Sequence, residues 1–154
     1  MSEILSGDLK VIVFQLQEEE YGIPVQQVQS IEKVEHITRV PRTAPYIKGV
    51  INLRGVVTPV IDLRKRFGLE EIENSESSRM IIVSKDDIDV GFIVDAANDV
   101  LDIQEDMIEP PPEVVGAIEI DYIKGVAKLD KRLIVMLDLD EILNMNHNRS
   151  LLNV

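Results

Sequence analysis

The side chains able to do proton-transfer or metal chemistry are few in this sequence. Its two histidines, His36 and His147, are 111 positions apart and belong to no shared motif. His36 stands among charged and β-branched residues, and a surface histidine without catalytic duty is the expectation for both. Asp86-Asp87-Ile88-Asp89 has the acidic density of a calcium loop, but the glycine and the closing glutamate such a loop needs are misplaced. It reads better as an acidic hairpin turn. Asp138, Asp140 and Glu141 could pair as the acid and base of a carboxylate hydrolase. Ahead of Ile142 and Leu143, however, they also suit the first turn of a helix, where an aspartate caps free N–H groups. There is no cysteine, hence no thiolate nucleophile and no thiolate metal site, and no Gly-rich phosphate loop is present. Arg54-Gly55 and Asp62-Leu63-Arg64-Lys65-Arg66 form a basic patch suited to an acidic protein surface, or else a turn whose arginines pair with neighbouring carboxylates.

Composition narrows the classes further. The chain has 154 residues, 45% hydrophobic and 29% charged, as expected of one globular unit. A net charge of −12 disfavours nucleic acid and anionic membranes as partners. No apolar run approaches the ~20 residues of a spanning helix, and the start lacks the pattern of a signal peptide, so a cytoplasmic location without membrane insertion is expected.

The positioning elements are mostly strands. Val11–Phe14, Gly49–Leu53, Val56–Ile61, Met80–Val83, Val90–Val94 and Leu133–Leu137 are short runs rich in β-branched residues. Arg54-Gly55, Asp86-Asp87 and Asp130-Lys131 read as the turns between them. From Pro24, the spacing of Val25, Val28 and Ile31 predicts a short amphipathic helix. A second short helix is predicted from Asp138 to Asn144. The unit is expected to span residues 9–146, with a frayed tail over 147–154 and a stiff extended connector at Pro110-Pro111-Pro112.

The chain also repeats itself. Tyr46-Ile47-Lys48-Gly49-Val50 returns 76 positions later as Tyr122-Ile123-Lys124-Gly125-Val126, and 8 of the 18 positions from Tyr46 to Leu63 match their counterparts. Upstream the offset becomes 69, where Tyr21-Gly22-Ile23-Pro24-Val25 answers Val90-Gly91-Phe92-Ile93-Val94. Each copy of about 70 residues would have a marginal core alone. Two similar β modules sharing an apolar interface are therefore expected.

The segment from Val40 to Gly68, with its P-x-x-P, N-L-R-G and P-V-I-D-L-R motifs, together with the later Y-I-K-G, resembles the signature of the CheW family of bacterial chemotaxis coupling proteins. The resemblance runs from Phe14 and Glu20–Ile23 to Leu133–Leu143. It implies an all-β fold of two intertwined five-stranded SH3-like β-barrels around a common hydrophobic core, with short helices including one near the C-terminus. It implies a non-catalytic adaptor without cofactor or metal, probing no nucleic acid and monomeric on its own. Such an adaptor links chemoreceptor cytoplasmic tips to the regulatory domain of the histidine kinase CheA. A coupling protein of a non-motility chemosensory pathway, a carboxylate hydrolase, a nucleic-acid-binding small barrel and a purely structural β protein are the alternatives.

By motif, the resemblance assigns a receptor-facing groove to Val28, Ser30 and Ile31 of the predicted helix, with Gly49, Arg54 and Val100. Family members often carry Glu where this chain has Ser30. Glu109 and Val114, around the triple proline, match a kinase-contact region. In this reading Gly49 lets a partner's backbone approach, so Gly49→Trp is expected to block the groove and leave the fold intact.

Overall fold

The computed structural model describes residues 8–70, 73–111 and 120–143. Among them the chain forms eleven strands: β1 Asp8–Leu16, β2 Glu19–Pro24, β3 Val28–Lys33, β4 Ile47–Leu53, β5 Val56–Asp62, β6 Arg79–Lys85, β7 Ile88–Val94, β8 Ala96–Gln104, β9 Ile108–Glu109, β10 Ile123–Leu129 and β11 Arg132–Leu137. Two single-turn helices, α1 Leu63–Arg66 and α2 Leu139–Ile142, follow β5 and β11.

The strands make a six-stranded sheet, in the order β8-β1-β2-β11-β10-β9, and a five-stranded sheet, in the order β3-β6-β7-β5-β4. The duplication explains both orders. With its offsets of 69 and 76, β1 and β2 correspond to β6 and β7, β3 to β8, and β4 and β5 to β10 and β11. Each sheet thus takes its first two strands from one copy and the rest from the other. Cross-strand pairing follows the same rule: Ile12 faces Val100 in one sheet, and their counterparts Ile81 and Ile31 face each other in the second. Even the short β9, paired to Val126, has a vestige in the isolated bridge from Thr38 to Val50. The copies are interleaved, so neither can complete its sheet without the other.

Alternation along the strands then builds three apolar layers. Val11, Val13, Ile103, Ala127, Ile134 and Met136 fill the concavity of the six-stranded sheet. Ile51, Val60, Met80, Ile82 and Ile93 fill that of the five-stranded sheet. The opposite faces, bearing Phe14, Tyr21, Ile23, Ile61, Ile81, Phe92 and Leu137 among others, meet in a shared core. Strands buried on both faces read as unbroken apolar runs, which is why these were visible in the sequence. Burial in the shared core pushes the Tyr21 phenol up to about 12.

The all-β class and the interleaved pair of modules agree with expectation. The details differ in that one sheet has six strands, the extra one being two-residue β9, and the two ends of each sheet are not joined by a backbone ladder among the described residues. In the five-stranded sheet a side-chain pair spans the gap instead, Arg54 Nη1 lying 3.3 Å from a Glu32 carboxylate oxygen.

The helix predicted from Pro24 is absent. A single 3₁₀ turn at Val25–Gln27 leads into β3, where residues alternate between half-buried and exposed. The three-residue spacing of Val28 and Ile31 has a different cause. The register slips between Val28 and Ser30, so Val28 opposes Val83 and Ile31 opposes Ile81, both partners facing the shared core. The second helix is present but shorter, ending at Ile142, with the Asp138 carboxylate accepting a hydrogen bond from the Glu141 N–H. The predicted tail, Val114 and Pro112 of the connector lie outside the described residues.

Candidate functional site

The three turns read from sequence are two-residue hairpin loops. Arg54, Asp86, Asp87 and Asp130 adopt positive φ there, as hairpins matched to strand twist require. The β4–β5 loop matters most, because it carries Arg54 to the edge strand β3. The Glu32–Arg54 pair sets the tip of that hairpin alongside β3. Ile31 is 41% exposed on β3, and Val56 and Val57 are 56% and 70% exposed just beyond the turn. The ion pair thus joins two elements that each carry exposed apolar side chains, Ile31 on β3 and Val56 and Val57 on β5, a surface suited to a protein partner. Val56 and Val57 were missed in sequence because the run to Ile61 read as one strand. Their place straight after a tight turn, at the tip of the hairpin, was the available signal.

The other assigned residues are distributed differently. Val28 is half-buried at the start of β3, packed against the shared core. Ser30 opposes Ile82 on the other face of the strand, and its buried Oγ has no hydrogen-bond partner among the described residues. Val100 is 54% exposed on β8, the edge of the six-stranded sheet, as the counterpart of Ile31. Glu109 is exposed on edge strand β9. Val114 is outside the described residues.

Gly49 requires a correction. It is buried, at φ +148°, and a Cβ added there would stand 2.7 Å from the carbonyl carbon of Thr38. The backbone that approaches this glycine belongs to the chain itself: Thr38 and Val50 exchange hydrogen bonds of 2.9 and 2.8 Å across it. A tryptophan at this position would displace the 37–39 segment, so the expected intact fold is overturned.

Two of the three cations in the basic stretch at 62–66 are buried. Arg64 is 1% exposed, its Nε 3.0 Å from Asp62 and its Nη1 3.2 Å from Asp95. Arg66 is buried between the rings of Tyr46 and Tyr122, 4.7 and 4.8 Å from their centroids. Of the patch, Arg54 and Lys65 face solvent.

The carboxylates have structural duties as well. Asp62 and Asp138 cap α1 and α2. Asp86 and Asp87 form the β6–β7 turn. His36 is exposed between β3 and β4, and His147 lies outside the described residues. Among the described residues, no three His, Asp or Glu side chains converge so as to hold a metal ion. None of the described helices is long and apolar enough to cross a membrane.

Comparison with known proteins agrees with this geometry. Residues 10–147 match the family model described as the CheW-like domain. The chain is 48% identical over 149 residues to chemotaxis protein CheW of Bacillus subtilis, covering 97% of this chain and 95% of that one. It is 33% identical over 138 residues to chemotaxis protein CheW of Thermotoga maritima, covering 88% of each. Among solved structures, it superposes on the scaffolding protein TtCheW of Thermoanaerobacter tengcongensis with a TM-score of 0.82 at 42% identity, over 90% of this chain and 89% of that one.

Proposed function

The chain belongs to the CheW-like family and is a chemotaxis coupling protein, and on that premise we propose that it ties the cytoplasmic tips of chemoreceptors to the regulatory domain of the histidine kinase CheA without catalysing a reaction. The observation that carries the receptor half of this reading is the exposed apolar group Ile31, Val56 and Val57 beside the Glu32–Arg54 pair. A receptor tip is a helical hairpin, whose apolar stripe needs a surface of this kind. Ile31 acts as an anchor and Arg54 as a flanking charge, while Val28 fixes the start of β3 against the shared core. Ser30 and Gly49 shape the strands that present them. Val100 offers a second apolar point on the other sheet.

For the kinase we assign Glu109, at the β9 edge, and Val114 beyond it. The protein works in the cytoplasm, held at the membrane by its partners, and is monomeric when alone. Residues 9–146 act as one unit, as the interleaving of the sheets supports.

The test is co-sedimentation of the chain with a soluble chemoreceptor cytoplasmic fragment and CheA. A ternary complex that is lost with Ile31→Glu, while a Leu133→Glu control retains it, is the expected result. Absence of any complex with the unaltered chain would refute the reading.

A further inference from the structure

Charge along this acidic chain is unevenly placed. Residues 36–61 contain Arg39, Arg42, Lys48 and Arg54 and no carboxylate, so all 28 acidic side chains fall outside this stretch. Part of it folds around a concavity of about 280 Å³ lined by Ile37, Arg39, Pro45, Ile47, Lys48 and Lys65. Three cations and three apolar residues make up this wall.

The wall is held by fixed backbone. The Thr38–Val50 bridge sets Ile37 and Arg39 against β4, next to Ile47 and Lys48. That closure depends on the missing side chain at Gly49. Lys65 comes from α1, whose cap Asp62 donates its backbone N–H to the Tyr46 carbonyl at 2.8 Å. Groups positioned before binding lose little freedom on binding.

We propose that this pocket receives a carboxylate side chain from the helical partner docked at β3 and the β4–β5 turn, an inference that rests on the receptor-binding reading above. Charge complementarity selects an acid, because a local positive stretch in a chain of net charge −12 is where an acidic partner meets least repulsion. The apolar residues select a carboxylate on a stem. Ile37, Pro45 and Ile47 can pack the methylenes of a glutamate and exclude water around its charge, whereas free phosphate would forfeit its hydration against them.

Binding of a soluble chemoreceptor cytoplasmic fragment, measured at low and high salt, tests the proposal. Arg39→Glu combined with Lys65→Glu should weaken binding by about tenfold or more and flatten the salt dependence, since exposed charges act within a Debye length of ~8 Å. Lys128→Glu, an exposed charge change on β10, should do neither. In a parallel titration followed by amide resonances, inorganic phosphate should not saturate the pocket. If the double variant binds with unaltered affinity and salt slope while Ile31→Glu loses binding, the pocket proposal falls and the receptor reading stands. Saturable phosphate binding with undiminished fragment binding would overturn it equally. If the unaltered chain does not bind the fragment, both fall. A double variant that does not fold is replaced by Arg39→Gln alone, which should weaken binding in the same direction.

Discussion

The guanidinium of Arg66 donates two hydrogen bonds to the carbonyl oxygen of Ile142, at 3.0 and 2.8 Å. The two residues are counterparts in the duplication, 76 positions apart, each at the end of its own single-turn helix. The rings that enclose the guanidinium, Tyr46 and Tyr122, are counterparts too. Their carbonyls play matching parts, accepting from the N–H groups of Asp62 and Asp138 at 2.8 and 2.9 Å. One cation therefore sits where the two copies meet and satisfies the open end of α2. Its counterpart Ile142 contributes a backbone carbonyl to the contact in place of a cation.

Replacing Arg66 by methionine keeps much of the volume but removes the donors. A buried carbonyl loses charged partners, and two cation–π contacts go with them. The expected loss is about 3 kcal/mol of unfolding free energy. Urea unfolding measures it, and a change below ~1 kcal/mol would show that the contact between the copies rests on apolar packing alone.

Gly49 and Gly55 separate two causes of glycine preference. Both have positive φ, +148° and +88°, but a Cβ at Gly55 meets nothing within 4 Å. Gly55→Ala should cost about 1 kcal/mol, for backbone conformation alone. Gly49→Ala should cost several times as much, because the Thr38–Val50 bridge must open as well. Equal costs in thermal unfolding would mean that the 37–39 segment yields freely.

Much of the architecture was legible because burial on both faces writes a strand as a continuous apolar run, as in Met80–Val83 and Ile134–Leu137. The duplication exposed the shared core for the same reason: Tyr46 and Tyr122 kept their type as they kept their place. What was hidden depended on pairing. β8 is a nine-residue strand, yet Asn98, Asp99 and Asp102 interrupt its apolar pattern, since an edge strand shows much of its surface to water. The bulge at Val28 and Ser30 imitated a helical spacing, as a register slip returns two residues three apart to one face. Within the candidate site, Ile31 and Arg54 were found through the family motif, whereas the ion pair that joins their elements required the fold. The burial of Arg64 and Arg66 was equally invisible, because a buried and a solvated arginine are spelled alike.

Val57 and Leu133 provide a test of which copy meets the receptor. They are counterparts, 70% and 56% exposed. Val57→Glu should reduce capture of a chemoreceptor cytoplasmic fragment by about tenfold or more, as loss of an apolar contact at an interface centre does. Leu133→Glu should leave it unchanged. Both should melt close to the unaltered chain, being surface changes worth within about 0.5 kcal/mol. The reverse order in a pull-down would move the receptor site to the six-stranded sheet.

Acid stability should depend on Arg132. Its guanidinium lies 2.8 Å from Glu20 and 3.1 Å from Asp99, tying β11 to β2 and to the β8 edge. The hydrogen bond from Arg132 is the largest influence on Glu20; with help from Asn98 it outweighs burial and holds the carboxyl below the usual value of 4.5. The unfolded chain then binds a proton at Glu20 before the folded chain does. Stability from this group is present above pH 4.5 and drains away as pH falls through the lower folded value. Arg132→Gln removes the cause of the depression, so its unfolding free energy should fall less steeply below that pH than that of the unaltered chain. Denaturant titrations at a series of pH values give the two slopes. Because the cluster is half open to water, the difference should also shrink in high salt. Parallel slopes at low salt would mean that Glu20 keeps its low value through Asn98 and the surrounding backbone.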